Sequence, residues 1–343
     1  MSDHPEFRRD LVSGDWILVA AGRSKRPHLT KKSKTKKKED NIKKCPFEDP
    51  QKSGNPFPLL WYPHPKTKTT KLEDFDSWFL QVIPNKYPLL YQDEKCPVVE
   101  ARGSAGAIPA VGYHEVIITR DHDRAIEKMT IEEVGLILKA YKERFRVLSK
   151  DPCVKYILIF HNHGEKAGAS LYHPHSQLVA LPIIDPDVSG SLNGSWNFRK
   201  LYKKCVHCTM IEKEMKDKKR VIEKNEHFIT VVPFAARVSY ETRIYPLKHN
   251  SRFEDLDKEE FPALARSLRN AIAKLNKAIP GVNYNFFIHT APAGEGDWGH
   301  YHWHIEILPR GFSWAGLELG SGIEVVAVPP EEAAAHLKEQ KIK

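Results

Sequence analysis

The stretch "SLYHPHSQLVALP", residues 170–182, decides the fold. Alternate residues of a strand project to one face, so His173, His175 and Gln177 point one way while Pro174, Ser176 and Leu178 point the other. A second stretch, "HYHWHIEIL" (300–308), repeats the cadence with His300, His302 and His304. One buried histidine is commonly satisfied by a single hydrogen bond. Five histidines in two matched triplets point instead to a site that does chemistry.

Working outward, the elements around the two stretches recur in the same order. "DWILVAAG" (15–22), "WFLQVIP" (78–84) and "HEVIIT" (114–119) read as strands. "TIEEVGLILKAYKERFRVLSK" (130–150) opens on a capping-box pattern, Thr130 to Glu133, and reads as a helix. "VKYILIF" (154–160), a loop "HNHGEKAGAS" and the strand with His175 follow. "DPDVSGSLNGSWN" (185–197), rich in turn residues, reads as a linker. After it, "FITVVP" echoes "FLQVIP", "FPALARSLRNAIAKLNKAI" (261–279) supplies the second long helix, and "NYNFFIH" matches "VKYILIFH". The pattern predicts an α+β protein of two tandem units, 1–184 and 185–343, each an antiparallel sheet with packed helices.

At 343 residues, 41% apolar with seven tryptophans, the chain can bury a sizeable core. No run approaches the roughly 18 apolar residues of a membrane span, and the polar start, Met1 to Asp10, does not read as a secretory signal. A cytoplasmic protein is expected. Five cysteines, two in C-x-x-C spacing, suggest metal ligation more than bridging. The net charge of +9 owes much to "RPHLTKKSKTKKKEDNIKK" (26–44), which reads as a solvated loop rather than a nucleic-acid surface.

Each half also offers a metal set. Cys205, Cys208, His249 and His300 form a Cys₂His₂ group of the kind that holds structural zinc. In the first half the counterparts are Cys45, Glu48, His122 and His173, with a carboxylate where the second cysteine would stand.

In this order and spacing the motifs "CPFE", "NKYP", "NHGEKAGASLYHPHSQ", "NEHFITVVPFAAR", "HYHWHIEILPR" and "GLELGSG" resemble the histidine-triad superfamily, specifically its duplicated branch, the galactose-1-phosphate uridylyltransferase family. The resemblance covers nearly the whole chain. It implies a nucleotidyltransferase that works through a covalent histidine intermediate, with His175 as the nucleophile. Gln177 would hydrogen-bond a phosphoryl oxygen, since a phosphate leaves well without the proton a third histidine could supply. It further implies substrate contacts from Arg23, Arg26, Asn85, Asn162, Gly168, Ser170 and Glu318, structural zinc, and a homodimer. It also implies a metal position at His289, His302 and His304, with no matching glutamate found for it. A UDP-glucose:hexose-1-phosphate exchange leads. Ala169 and Leu317 depart from the best-known members, and "GASLYHPHSQ" is similar to members acting as ADP-glucose phosphorylases. A nucleotide-sensing or nucleic-acid-binding protein is the non-enzymatic alternative.

Overall fold

A computed structural model describes residues 4–22, 42–67, 72–102, 105–311 and 314–342. Arg23, Arg26 and most of the lysine-rich segment lie outside the described residues. The strands of the first half are β1 (Glu6–Arg9), β2 (Trp16–Val19), β3 (Leu60–Pro63), β4 (Trp78–Pro84), β5 (Glu100–Arg102), β6 (Ala105–Ala107), β7 (Tyr113–Thr119), β8 (Tyr156–His163) and β9 (His175–Leu181). Those of the second are β10 (Val221–Lys224), β11 (Phe228–Val231), β12 (Thr242–Pro246), β13 (Tyr284–His289), β14 (His304–Pro309) and β15 (Val325–Val326). The helices are α1 (Ile131–Leu148), α2 (Pro186–Tyr202), α3 (Val206–Asp217), α4 (Phe261–Ala278), α5 (Gly316–Ser321) and α6 (Pro330–Glu339).

Two five-stranded antiparallel halves, β3-β4-β7-β9-β8 and β10-β11-β12-β14-β13, join edge to edge into one ten-stranded sheet. The seam is the antiparallel pair β8–β13, with Phe160 opposite Phe287. Pairing the two edges satisfies backbone groups that separate units would leave open. The α+β fold expected from the repeat is present, with the two sheets fused rather than apart.

Both long helices pack on one face of this sheet. The capping box of α1 forms as read: Thr130 Oγ1 accepts from the Glu133 N–H at 3.2 Å and Glu133 Oε2 accepts from the Thr130 N–H at 2.7 Å. Leu178 and Ala180 of β9 and Ile305 and Ile307 of β14 join α1 and α4 in a continuous buried core. The opposite face therefore receives His175 and Gln177, and that is where the site can form.

The supposed linker is instead helical, because Asp185 caps it, accepting from the Val188 N–H at 3.1 Å, and Pro186 stands at its first position. Gly194, a turn signal in the sequence, is needed there by close approach. A Cβ on it would lie 1.7 Å from the Val12 carbonyl oxygen. A second departure is a disulfide, Cys96–Cys153, joining an exposed segment before β5 to the turn between α1 and β8. Cys45, Cys205 and Cys208 are not disulfide-bonded. Among the described residues no helix is long and apolar enough to cross a membrane.

Candidate active site and metal centres

β9 carries His175 and Gln177 onto the face away from α1 and α4, as alternation requires. His175 is buried, and its Nδ1–H donates to the His173 carbonyl oxygen at 2.8 Å. Burial lowers the basicity of its ring. The imidazole is therefore neutral with its lone pair on Nε2, the form a nucleophile needs. Phe47 of the "CPFE" turn sets its ring at a steep angle to the His175 ring, 5.2 Å between centroids.

On the other face of β9, Ser176 Oγ lies 2.5 Å from Tyr141 Oη of α1 and 3.0 Å from His161 Nδ1. These buried bonds tie the strand of His175 to the helix layer.

Of the expected substrate contacts, Asn162 lies on β8, Asn85 follows β4, and Gly168 and Ser170 lie in the loop between β8 and β9. Asn162, at the end of β8, has its Oδ1 engaged by Asn285 Nδ2 at 2.7 Å, which turns the Asn162 amide nitrogen outward. Asn285 crosses from the second half and also donates to the Ala167 carbonyl at 2.8 Å, pinning the glycine loop. Asn85 follows β4, its Oδ1 accepting from the Tyr87 N–H at 2.8 Å. Gly168 has φ +83°, a conformation side-chain residues rarely adopt, and closes a short turn over 165–167. Its N–H is used within that turn, donating to the Glu165 carbonyl at 2.9 Å. Ser170 is exposed and its hydroxyl has no partner among the described residues, so of the two loop residues Ser170 is the one with a free donor. Glu318 lies in α5, its carboxylate accepting from the Ala315 N–H at 3.0 Å.

The first metal set assembles as read. Cys45, Glu48, His122 and His173 offer ligand atoms within 4.8 Å of one another. Cys45 Sγ is 3.7 Å and Glu48 Oε1 3.2 Å from His173 Nδ1, while His173 Nε2–H donates to the Thr119 carbonyl at 2.6 Å. Metal-bound donors in a tetrahedral zinc site stand roughly 3.3–3.8 Å apart, from bonds of about 2.0–2.3 Å. The backbone bond on the far nitrogen is the usual orienting contact of a ligating histidine.

The second set requires a correction. Cys205, Cys208 and His249 gather with His302, not His300. Cys208 Sγ lies 3.3 Å from His249 Nδ1 and 3.5 Å from His302 Nδ1, and His302 Nε2–H donates to the Pro246 carbonyl at 3.0 Å. A hydrogen bond from Cys208, the leading cause, holds the Cys205 thiol well below its ordinary range, as a thiolate ligand requires. Strand pairing gives the reason. Gln177 lies opposite Phe160 and Val116, and Glu306 lies opposite Phe287 and Arg243. Hence His302 matches His173, His304 matches His175 and Glu306 matches Gln177. His300 belongs to a loop two residues longer than its counterpart, where the ring lies 5.2 Å from that of Trp196.

The same register corrects the third expected position. His302 is withdrawn to the cysteines, and His289, His304 and Glu306 form the remaining cluster. The carboxylate judged missing is Glu306. Sequence reading also passed over Asn285 and His114, although the alternation of "HEVIIT" already placed His114 on the face of Val116 and Ile118.

With the geometry in place, comparison with known proteins is specific. Residues 1–184 match the galactose-1-phosphate uridyl transferase N-terminal domain. An ADP-glucose phosphorylase from Arabidopsis thaliana is 33% identical over 342 residues, spanning 98% of this chain and 93% of the relative. A galactose-1-phosphate uridylyltransferase from Thermotoga maritima is 30% identical, spanning 98% and 99%. The crystal structure of an ADP-glucose phosphorylase from Arabidopsis thaliana with bound ADP-glucose superposes with a TM-score of 0.81 at 29% identity, covering 99% of this chain and 100% of that one. The chain therefore belongs to the galactose-1-phosphate uridyl transferase family.

Proposed function

We propose that the protein moves a nucleoside monophosphate from a nucleoside diphosphate sugar to a phosphate acceptor through Nε2 of His175. The observation that carries this is the hydrogen bond from His175 Nδ1–H to the His173 carbonyl, which fixes a neutral ring with Nε2 free. In the first displacement Nε2 attacks the α-phosphorus, the bond to the bridging oxygen breaks, and sugar 1-phosphate leaves with that electron pair. The nucleotidylated ring gains positive charge, which the His173 carbonyl stabilises through the Nδ1 proton. An oxygen of the acceptor phosphate then attacks the same phosphorus and returns the neutral imidazole. Gln177, two residues along the strand, donates from its amide to a phosphoryl oxygen, and Asn162 and Ser170 supply further neutral donors.

Uridylyl exchange with a hexose 1-phosphate is the first reading, supported by the Thermotoga relative. Adenylyl transfer from ADP-glucose to inorganic phosphate is the second. It is supported by the 33% identity to a phosphorylase and by Leu317 standing beside Glu318, which leaves less to hold a hexose acceptor. Glu318 has no hydrogen bond or ion pair to the residues around His175 among the described residues, which suits a homodimer in which one copy completes the sugar site of the other. A cytoplasmic location accords with the lack, among the described residues, of a helix long and apolar enough to cross a membrane.

Zinc fits both ligand groups by donor type and spacing. Cys45, Glu48, His122 and His173 would hold one ion and Cys205, Cys208, His249 and His302 another. Its contribution is a structural cross-link, which in the first half anchors the strand two residues before the nucleophile.

Incubation with UDP-glucose and with ADP-glucose, each labelled at the α-phosphorus, separates the readings. Label from UDP-glucose, released by hexose 1-phosphate, supports the first. Label from ADP-glucose, released by inorganic phosphate, supports the second. Absence of label from both sugars would contradict the transfer mechanism.

A further inference from the structure

His114 lies on β7 opposite Val179, two residues from Val116, which pairs with Gln177, and is buried. Its two ring nitrogens have different partners. The Leu89 backbone N–H donates to Nδ1 at 3.1 Å, so Nδ1 carries no proton. The ring proton of a neutral imidazole must then sit on Nε2, which faces Gln177 Oε1 at 2.8 Å. Asn85 Nδ2 is 3.1 Å from the same nitrogen, but it is a donor, and the Asn85 amide is held that way by the Tyr87 N–H on Oδ1. The proton of His114 therefore has one acceptor, the carbonyl oxygen of Gln177. Burial lowers the basicity of His114 and keeps the ring in this neutral form.

We propose that His114 is a positioning residue that fixes the orientation of the Gln177 amide, so that the NH₂ and not the oxygen faces the phosphoryl group being transferred. The inference rests on the reading of His175 as the nucleophile. An unpinned glutamine can rotate its amide by half a turn, replacing a hydrogen-bond donor with an acceptor that repels the phosphoryl oxygens. The second half supports the assignment by contrast. There the position of His114 is taken by Glu241 and that of Gln177 by Glu306, a carboxylate whose two oxygens are alike and need no such orientation.

The test uses His114→Phe, which keeps a ring but cannot donate, and His114→Gln, whose amide nitrogen can take the place of Nε2. His114→Phe should slow nucleotidylation of His175 about 10–100-fold with sugar-nucleotide affinity nearly unchanged, since a misdirected donor costs transition-state more than ground-state binding. His114→Gln should recover to within about threefold of the wild-type rate. In a Gln177→Ala background, His114→Phe should add no further loss, because its effect runs through Gln177. Independent losses in the double variant, or a folded His114→Gln as slow as His114→Phe, would overturn the assignment. A separate readout needs no turnover: the ¹⁵N shifts of the His114 ring should show the Nε2–H tautomer, and the Nδ1–H tautomer would overturn the inference. Wild-type protein that labels with neither nucleotide sugar would refute the proposed function, and the tautomer would still decide the inference.

Discussion

The two halves place different chemistry on the same strand positions. In the first, the strip around His175 is neutral: Gln177, Asn162 and His114 are hydrogen-bonding groups without formal charge. In the second, the matching positions are His304, Glu306, His289 and Glu241, and Arg243 replaces Val116. Glu306 is held between Arg243 Nε at 3.0 Å and Arg237 Nη2 at 3.1 Å, and Arg243 Nε also reaches Glu241 at 2.8 Å. The cavity beside them is lined further by Asp10, Asp15 and Asp187. Burial pushes the His304 ring down to about 4 even with that carboxylate alongside. A diphosphate can approach the first strip, where every group can donate or stay neutral. At the second it meets carboxylates whose partners are already taken, and like charge repels it. One copy of the repeat presents neutral hydrogen-bonding groups at these positions and the other a buried ion-paired network.

The largest effect should come from exchanging the two histidines as targets. His175→Gly should lower transfer on the order of 10⁴-fold or more, since it removes the covalent carrier. Steady-state rates of His304→Ala, if folded, should stay within about tenfold of wild type, as expected of a group outside the transition state. Comparable losses in the two variants would break the asymmetry.

Metal loss should weigh next, unequally between halves. Elemental analysis of the wild type should find about two zinc ions per chain. Cys208→Ser should lose one and lower the melting temperature sharply, because structural zinc contributes folding free energy directly. Glu48→Ala should lose the first-half ion with a smaller shift, having a carboxylate and not a thiolate to give up. Full zinc retention in Cys208→Ser would disprove the second centre. Smaller again is Arg243→Met, which strands the buried Glu241 and Glu306 carboxylates and should cost about 3–5 kcal/mol in denaturant unfolding. Val116→Ile, at the matching position, should cost little.

The smallest effect is a pH slope that belongs to one half alone. His161 is buried beneath His175, and desolvation, the leading cause, holds its pKa well below the usual value, whereas the matching residue is Ile288. An unfolded histidine titrates near 6.5. Below that pH the unfolded chain gains a proton that the folded chain refuses, so stability is intact above about 6.5 and declines as pH falls. Unfolding curves of His161→Gln between pH 7 and 5 should show a shallower decline than wild type. An identical slope would remove His161 from the explanation.

Most of the fold was legible because its signals are local and periodic. The capping box of α1, the apolar stripe of α4 and the alternation on β7, β9 and β13 each follow from neighbouring residues. What failed depended on distance in space. The second triplet was misaligned by one His-x-His step, since three histidines in "HYHWHIE" fit either register and only pairing with β12 and β13 places Glu306 opposite Arg243. Turn-rich residues hid α2, where Gly194 serves contact with Val12 rather than a bend. The Cys96–Cys153 disulfide spans 57 residues and had no spacing to announce it. At the candidate site, a motif singles out His175 and Gln177, whereas the contacts of His114 and Asn285 arise from hydrogen bonds between strands.

Covalent transfer is expected to run through His175 alone. Rapid quench of wild-type protein with α-labelled nucleotide sugar, followed by peptide mapping, tests it most directly. Acid-labile, base-stable label is expected on the peptide holding His175, absent from His175→Ala and retained in His304→Ala. Label on the His304 peptide, or none with either UDP-glucose or ADP-glucose, would contradict it.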